Sequence, residues 1–296
     1  MLTSNPVMPT LQHILFPYDF SPQGHQVAPF VRAIAGRFGA RVTVISAVPP
    51  AFGPVPAAMD WPDLRIGEDS ERWRRTLQAR LDQALVDELA GIETARVAVG
   101  GDPALRIADF ARTESVDLIM MPTHGLGTFR RLLIGSVTSK VLHDATCPVW
   151  TAAHADTQTA AALPRRIVCA VDGSPSTPAL ARWAVEFAGA VNAHLQFLHV
   201  VGPISDWPTL ESERRLQEQV REDARGRITA MLKSAGIEVP LRVVLGQIVQ
   251  TAVEEARQEA ADLMIIGRGA VSEPFGRLRT HAFGIIQRSP CPVLSV

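Results

Sequence analysis

The chain has 296 residues, room for about two domains of ordinary size, and with 47% hydrophobic and 20% charged residues it has the balance of a folded globular protein. A formal net charge of −1 offers no overall field for DNA or RNA, no apolar run reaches the ~18 residues a membrane span requires, and MLTSNPVMPTLQHILF lacks the basic-then-apolar order of a secretory signal. Three cysteines, Cys147, Cys169 and Cys291, are an odd and sparse set, which argues against a disulfide framework and for a reducing, cytoplasmic setting.

In chain order, His13–Tyr18, Arg41–Val48, Ala95–Val99, Leu118–Pro122 and Pro148–Thr151 are short, β-branched and almost continuously apolar, as strands buried on both faces are. Between the first two, Val27, Phe30, Val31, Ile34 and Phe38 recur at helical spacing. Ser21 is placed to cap that helix, with Pro22 at its first position. Trp73, Leu77, Leu81, Leu85 and Leu89 form a second stripe. Asp102-Pro103 opens a third helix carrying Leu105, Ile107, Ala108 and Phe110, and Gly135-Ser136 opens a fourth. This alternation predicts an α/β fold with a doubly wound parallel sheet.

The pattern then repeats. His13–Val48 aligns without a gap on Arg166–Val201, bringing Asp19-Phe20-Ser21-Pro22 onto Asp172-Gly173-Ser174-Pro175. Asp60-Trp61-Pro62 recurs as Asp206-Trp207-Pro208, Asp117-Leu118-Ile119-Met120 as Asp262-Leu263-Met264-Ile265, and Cys147-Pro148-Val149 as Cys291-Pro292-Val293. We therefore expect two tandem domains, 1–153 and 165–296, joined by a small, polar linker over 154–164.

In an open parallel sheet, ligands bind beyond the carboxyl ends of strands where the winding reverses. That directs attention to the turns after the first and fourth strands of each copy. After the fourth strand come Met121-Pro122-Thr123-His124-Gly125, and further on Gly135-Ser136-Val137-Thr138. Glycine permits close backbone approach, and a helix opening at Ser136 presents N–H groups and a partial positive charge to phosphate oxygens. The hydroxyls of Ser136 and Thr138 are candidate donors beside them. Taken alone, the same residues also read as an ordinary glycine turn with a serine cap. Asp19, after the first strand, suits either an adenine amino group or ribose hydroxyl, or local capping beside Ser21.

The spacing Pro122-x2-Gly125-x9-Gly135-Ser136 resembles the nucleotide motif of the universal stress protein family, Gly-x2-Gly-x9-Gly followed by Ser or Thr. The opening Phe16-Pro17-Tyr18-Asp19-Phe20-Ser21, the strand from Asp117 to Met120 and the closing Cys147-Pro148-Val149 are similar to that family too. The resemblance covers essentially the whole chain, twice. It implies a Rossmann-like, adenine-nucleotide-binding fold holding ATP, or a related adenine nucleotide, between the first and fourth strands. Carried over by position, Pro17, Asp19 and Ala47 would hold the adenine side, Met121, Pro122, His124 and Gly125 the ribose and phosphates, and Gly135, Ser136, Val137 and Thr138 the phosphates. Any Mg2+ would be carried through the phosphates alone. Pro122 departs from the motif glycine and supplies no backbone donor.

In the second copy Asp172 and Val200 keep the adenine-side positions, and Gly267, Gly269 and Thr280 mark a degenerate site. Aligning the Cys-Pro-Val ends puts Arg279-Thr280 where Gly135-Ser136 stood, so an arginine takes space that glycine leaves for phosphate. The family's single-domain members pair through their last strands, which implies that the strands at Val149 and Val293 pair within this chain about a pseudo-two-fold axis, with further homodimerisation open. The implied function is a nucleotide-dependent stress-response regulator acting on a protein partner of unspecified identity. The alternatives are a slow ATPase or small-molecule hydrolase, and a nucleotide-free scaffold.

Catalytic signatures are lacking. There is no Gly-x4-Gly-Lys-Ser/Thr loop, and the only lysines, Lys140 and Lys233, follow no glycine-rich turn. His143 and Cys147 have no second pair to complete a metal site, so none is expected. His124 and His281 have no sequence-local carboxylate to orient them as bases. Cys147 and Cys291 read as core packing.

Overall fold

The computed structural model describes residues 11–48, 70–124, 134–152, 163–202, 210–268 and 280–296. The chain divides into two compact units between Leu163 and Pro164. The first runs β1 (His13–Pro17), α1 (Pro22–Phe38), β2 (Arg41–Val48), α2 (Ser70–Asp82), β3 (Thr94–Gly100), α3 (Pro103–Thr113), β4 (Leu118–Pro122), α4 (Ser136–Asp144) and β5 (Val149–Ala152). Its strands lie in the order β3-β2-β1-β4-β5, every pair parallel. The second runs β6 (Arg166–Ala170), α5 (Thr177–Val191), β7 (His194–Val201), α6 (Leu210–Ser234), β8 (Leu241–Leu245), α7 (Ile248–Gln258), β9 (Leu263–Ile266), α8 (Thr280–Arg288) and β10 (Val293–Ser295), in the order β10-β9-β6-β7-β8. Both are doubly wound parallel sheets, as the alternation of elements requires. In each, the chain steps outward for two strands and then returns to the far side of the first.

The local chemistry explains the elements. All residues of β1 and β4 are buried, so both faces of these strands are apolar. Ser21 caps α1 by accepting the Gly24 N–H at 2.9 Å. The helix stops at Gly39, whose φ of 66° is left-handed; the aligned Asn192 ends α5 at φ 57°. At the edge of the first sheet, Gln78 of α2 acts as a surrogate strand partner. Its amide donates to the Arg96 carbonyl at 2.9 Å and accepts the Ala98 N–H at 2.8 Å, which blunts the edge of β3.

Two expectations are corrected. The stripe from Trp73 to Leu89 is not one helix: α2 ends at Asp82, and Leu85 turns the chain at φ 56°. Leu85 and Leu89 are nevertheless buried, because the turns after α2 fold them back onto the same core. In α3 the buried face is Ala104, Ile107 and Ala111, and Leu105 is 55% exposed. α3 packs against α4, and Leu105 lies off the buried face.

The recurrent aspartate before the fourth strand has a structural task. Asp117 Oδ2 accepts the N–H groups of Gln12 and His13 at 2.8 and 2.9 Å, fastening the start of β1 to β4. Asp262 Oδ2 does the same for Arg165 and Arg166, both at 2.9 Å. Beside Asp117, the buried His13 ring places Nε2 2.8 Å from the Thr43 hydroxyl and Nδ1 3.2 Å from both the Arg41 guanidinium and the Glu114 carbonyl. Burial, and after it the Arg41 charge, hold the His13 ring below its ordinary pKa, against a pull from the Glu114 carbonyl.

Asp117→Ala and Asp262→Ala should each destabilise their unit by about 2 kcal/mol in urea unfolding, since two amides lose a charged acceptor. Asp109→Ala, which breaks an exposed helix ion pair with Arg112, is the control and should change little. Because the folded pKa of His13 is lowered, the unfolded chain takes up this proton more readily. Its contribution is therefore complete above about pH 6.5 and is lost as pH falls through the folded value. His13→Gln should flatten the fall in urea midpoint between about pH 7 and pH 5 relative to the parent.

Candidate functional site

The carboxyl end of β1 lies between β2 and β4, where the winding of the first unit reverses. Tyr18 extends β1 by donating its N–H to the Ile45 carbonyl at 2.9 Å. Pro17 is buried, and Ala47, two residues beyond Ile45 on β2, is half-buried. Asp19 then turns the chain, its Oδ1 accepting the Ser21 N–H at 3.0 Å. The turn needs a left-handed residue, and Phe20 supplies it at φ 60°, at a cost of about 1–2 kcal/mol relative to glycine. Gly24 completes it by having no side chain. A Cβ there would lie 3.1 Å from Asp19 Oδ1, 3.1 Å from Tyr18 Cδ2 and 3.3 Å from Ser21 Oγ.

At the end of β4, Met121 and Pro122 are buried in the sheet. Thr123, 1% exposed, donates both its N–H and its hydroxyl to the Ala152 carbonyl at 3.2 Å. Its own carbonyl accepts the Gly135 N–H at 2.8 Å, so β4 and the start of α4 are joined directly. His124 Nδ1 sits 3.0 Å from the Thr123 hydroxyl. Gly135 has an ordinary φ of −60°, so space rather than conformation selects glycine: a Cβ would come within 3.3 Å of the Thr123 carbonyl. The first helical bond of α4 is Ser139 N–H to the Gly135 carbonyl at 2.9 Å. The amides of Ser136, Val137 and Thr138 therefore head the helix, outside its ladder, at the positive end of its dipole.

Thr138 departs from expectation. Its hydroxyl, in a residue 3% exposed, donates to the Pro122 carbonyl at 3.1 Å, so the one proton it has is spent within the protein. Thr138 can offer a ligand its amide but not its hydroxyl. The Ser136 side chain is exposed. Gly125 lies outside the described residues, as do Gly269 and Arg279 in the second unit.

The second unit repeats the skeleton and changes the fittings. Asp172 Oδ1 accepts the Ser174 N–H at 2.9 Å and also the Thr177 hydroxyl at 3.2 Å, where Thr177 aligns with Gly24. Gly173 takes the left-handed position at φ 74°. Val200, on β7, is half-buried. At the end of β9, Gly267 is followed by Arg268, whose N–H donates to the Val296 carbonyl at 3.0 Å, as Thr123 does to Ala152. Arg268 is only 5% exposed, so a buried guanidinium stands where the first unit has a threonine. Thr280 opens α8. Gly24, Thr123 and Arg268 are the residues the motif did not single out. Setting the two copies side by side, Gly24 against Thr177 and Thr123 against Arg268, was the available signal.

Among the described residues, no group of three or more His, Cys, Asp or Glu could hold a metal ion. The three cysteines are free and buried; burial pushes the Cys169 thiol far up and the Cys291 thiol up to about 11, so neither is poised as a nucleophile. His143, in the last turn of α4, pairs with Asp144 at 2.7 Å. What the first unit offers is a carboxylate at one strand end and amides at a helix N-terminus beyond its neighbour. Such a set can bind and orient an anionic ligand that carries hydrogen-bond donors.

Gly→Ala changes inside α1 separate this close packing from ordinary helix propensity. A Cβ at Gly36 would meet only Ile92 Cδ1, at 3.8 Å. Gly36→Ala should gain about 0.5–1 kcal/mol, whereas Gly24→Ala should lose about 1 kcal/mol as Asp19 and Tyr18 give way. Thermal denaturation of the two variants checks the difference in sign.

Comparison with known proteins places this arrangement. The model of the universal stress protein family matches residues 10–152 and again 164–296. A universal stress protein of Thermus aquaticus is 34% identical over 137 residues, covering 46% of this chain and 94% of its own. One from Methanocaldococcus jannaschii is 32% identical over 140 residues, covering 46% of this chain and 78% of its own. The crystal structure of a universal stress protein from Archaeoglobus fulgidus has the same fold, with a TM-score of 0.66 at 22% identity and 97% of both chains covered. With a family match in each half, this chain belongs to the universal stress protein family as a tandem two-domain member.

Proposed function

We propose that the first unit binds ATP, or a related adenine nucleotide, at the carboxyl ends of β1 and β4. In this reading the bound state regulates a protein partner during a stress response. The observation that carries it is the head of α4. Three amides stand outside the helical ladder, behind a glycine held 2.8 Å from the Thr123 carbonyl, where any side chain would crowd the backbone. Phosphate oxygens would be held by the amides of Ser136, Val137 and Thr138, and by the Ser136 hydroxyl. The adenine or ribose would meet Asp19, with Pro17 and Ala47 beside it and Met121, Pro122, His124 and Gly125 along the β4 side. Mg2+, where present, would be carried by the phosphates. The three free and buried cysteines support a reducing, cytoplasmic setting, and no described helix is long and apolar enough to cross a membrane.

The second unit supports a degenerate site. Thr177 donates to the Asp172 carboxylate, and the buried Arg268 replaces the small Thr123. We therefore expect one nucleotide per chain rather than two.

Calorimetric titration with ATP, together with phosphate release at saturating ATP, tests the reading. Gly135→Arg should abolish binding in a protein that still melts like the parent, because the new side chain fills the approach to the α4 amides. Asp19→Ala should weaken ATP about 10- to 100-fold through loss of a charged acceptor. Phosphate release by the parent should stay far below the ~10 s⁻¹ typical of dedicated enzymes. Unchanged ATP affinity in folded Gly135→Arg protein would refute the site, and rapid release by the parent would replace the regulator with an ATPase.

A further inference from the structure

The turn that presents Asp19 is held in a conformation its own residue resists. Phe20 sits at φ 60°, where the second unit has Gly173 at φ 74°. A strained, bulky residue persists only where its surroundings over-determine it, and here they are specific. The Phe20 ring packs 4.9 Å from the Tyr18 ring, which in turn lies 5.8 Å from Phe16 in the core. The Arg80 guanidinium also lies over the Phe20 ring, 4.2 Å from its centroid.

Arg80 belongs to the last turn of α2, which cannot drift. Leu77 and Leu81 on either side of it are buried, and Gln78 is bonded to the β3 backbone at Arg96 and Ala98. The first unit's turn is thus fastened from outside, by a neighbouring helix. The second unit fastens the equivalent turn from within: Thr177 donates to Asp172, and the Ser174 and Ser176 hydroxyls lie 2.8 Å apart.

We propose that Phe20 and Arg80 are positioning residues, forming a latch through which α2 sets the Asp19 carboxylate for the adenosine side of the ligand. The inference rests on the nucleotide reading of this site. It assigns a role to α2, and it predicts selectivity by ligand part. Loosening the latch harms recognition of adenosine and leaves phosphate binding alone.

The test titrates ATP and inorganic triphosphate into the full chain and into Phe20→Gly, Arg80→Met and Arg80→Lys. Phe20→Gly accepts the left-handed conformation without strain and removes the ring. Arg80→Met keeps the stem and removes the cation, while Arg80→Lys restores a charge without the planar group. ATP affinity should fall about three- to tenfold in the glycine and methionine variants, with partial recovery in the lysine variant. Triphosphate affinity and melting temperature should not move. In nucleotide-free protein, amide exchange at Ser21, whose N–H donates to Asp19, should quicken in the same two variants while Ser139 keeps its protection.

Unchanged ATP affinity overturns the latch. So does a parallel loss of both ligands, since Arg80 would then act on phosphate or on the fold at large, and so does unchanged exchange at Ser21. If the parent binds neither ligand, the nucleotide reading itself fails and takes this inference with it. That outcome is distinct from a parent that binds ATP and variants that bind it equally well.

Discussion

The candidate site depends on β4 lying beside β1. A parallel strand can be joined to its neighbour only by a crossover, and the crossovers on the two sides of β1 carry their helices to opposite faces of the sheet. In open sheets of this kind ligands bind beyond the carboxyl ends of the strands where the winding reverses. The pairing of Ile14 with Leu118 and Leu15 with Ile119 fixes this adjacency. The Asp117 carboxylate reinforces it from the amino end by taking two amides of the first strand. A residue remote from the site thus holds the register that brings Asp19 and the β4–α4 connection to one edge.

Comparison of the two units separates scaffold from fittings. Positions that satisfy backbone requirements keep their physical role even when the residue changes. Gly39 and Asn192 both end the first helix in the left-handed conformation, Phe20 and Gly173 both adopt it in the turn, and Asp117 and Asp262 make the same pair of bonds. Positions beside the strand ends are under no such obligation, and there the units diverge. Gly24 gives way to Thr177, whose hydroxyl engages the carboxylate, and Thr123 gives way to a buried arginine. The buried side chain at that strand end is thus small and uncharged in one unit and long and cationic in the other, a change of character as well as of size.

A carboxylate, a close-packed glycine and the open amides of a helix are instruments of binding. Such features can orient an anionic ligand that carries hydrogen-bond donors. The helices tied to the strand ends are α4, through Thr123 and Gly135, and α2, through Arg80 and Phe20.

The sequence by itself determined what depends on near neighbours. Continuous apolar runs made β1 and β4 strands buried on both faces, the three-and-four spacing from Val27 to Ile34 made α1, Ser21 capped it, and the duplication announced two units of one fold. These follow from periodicity and backbone hydrogen bonding within a few residues. Tertiary structure decided whatever needed a distant partner. The stripe through Leu85 read as helix because burial has the same period whether the chain continues or folds back, and the packed face of α3 is Ala104, Ile107 and Ala111, which leaves Leu105 outside. The Thr138 hydroxyl found its acceptor at Pro122, across a loop, and Phe20 tolerates its left-handed backbone because Tyr18 and Arg80 enclose its ring. Hydroxyl protons, ring faces and the space for a single Cβ are settled by atoms far away in the chain, and no local pattern encodes them.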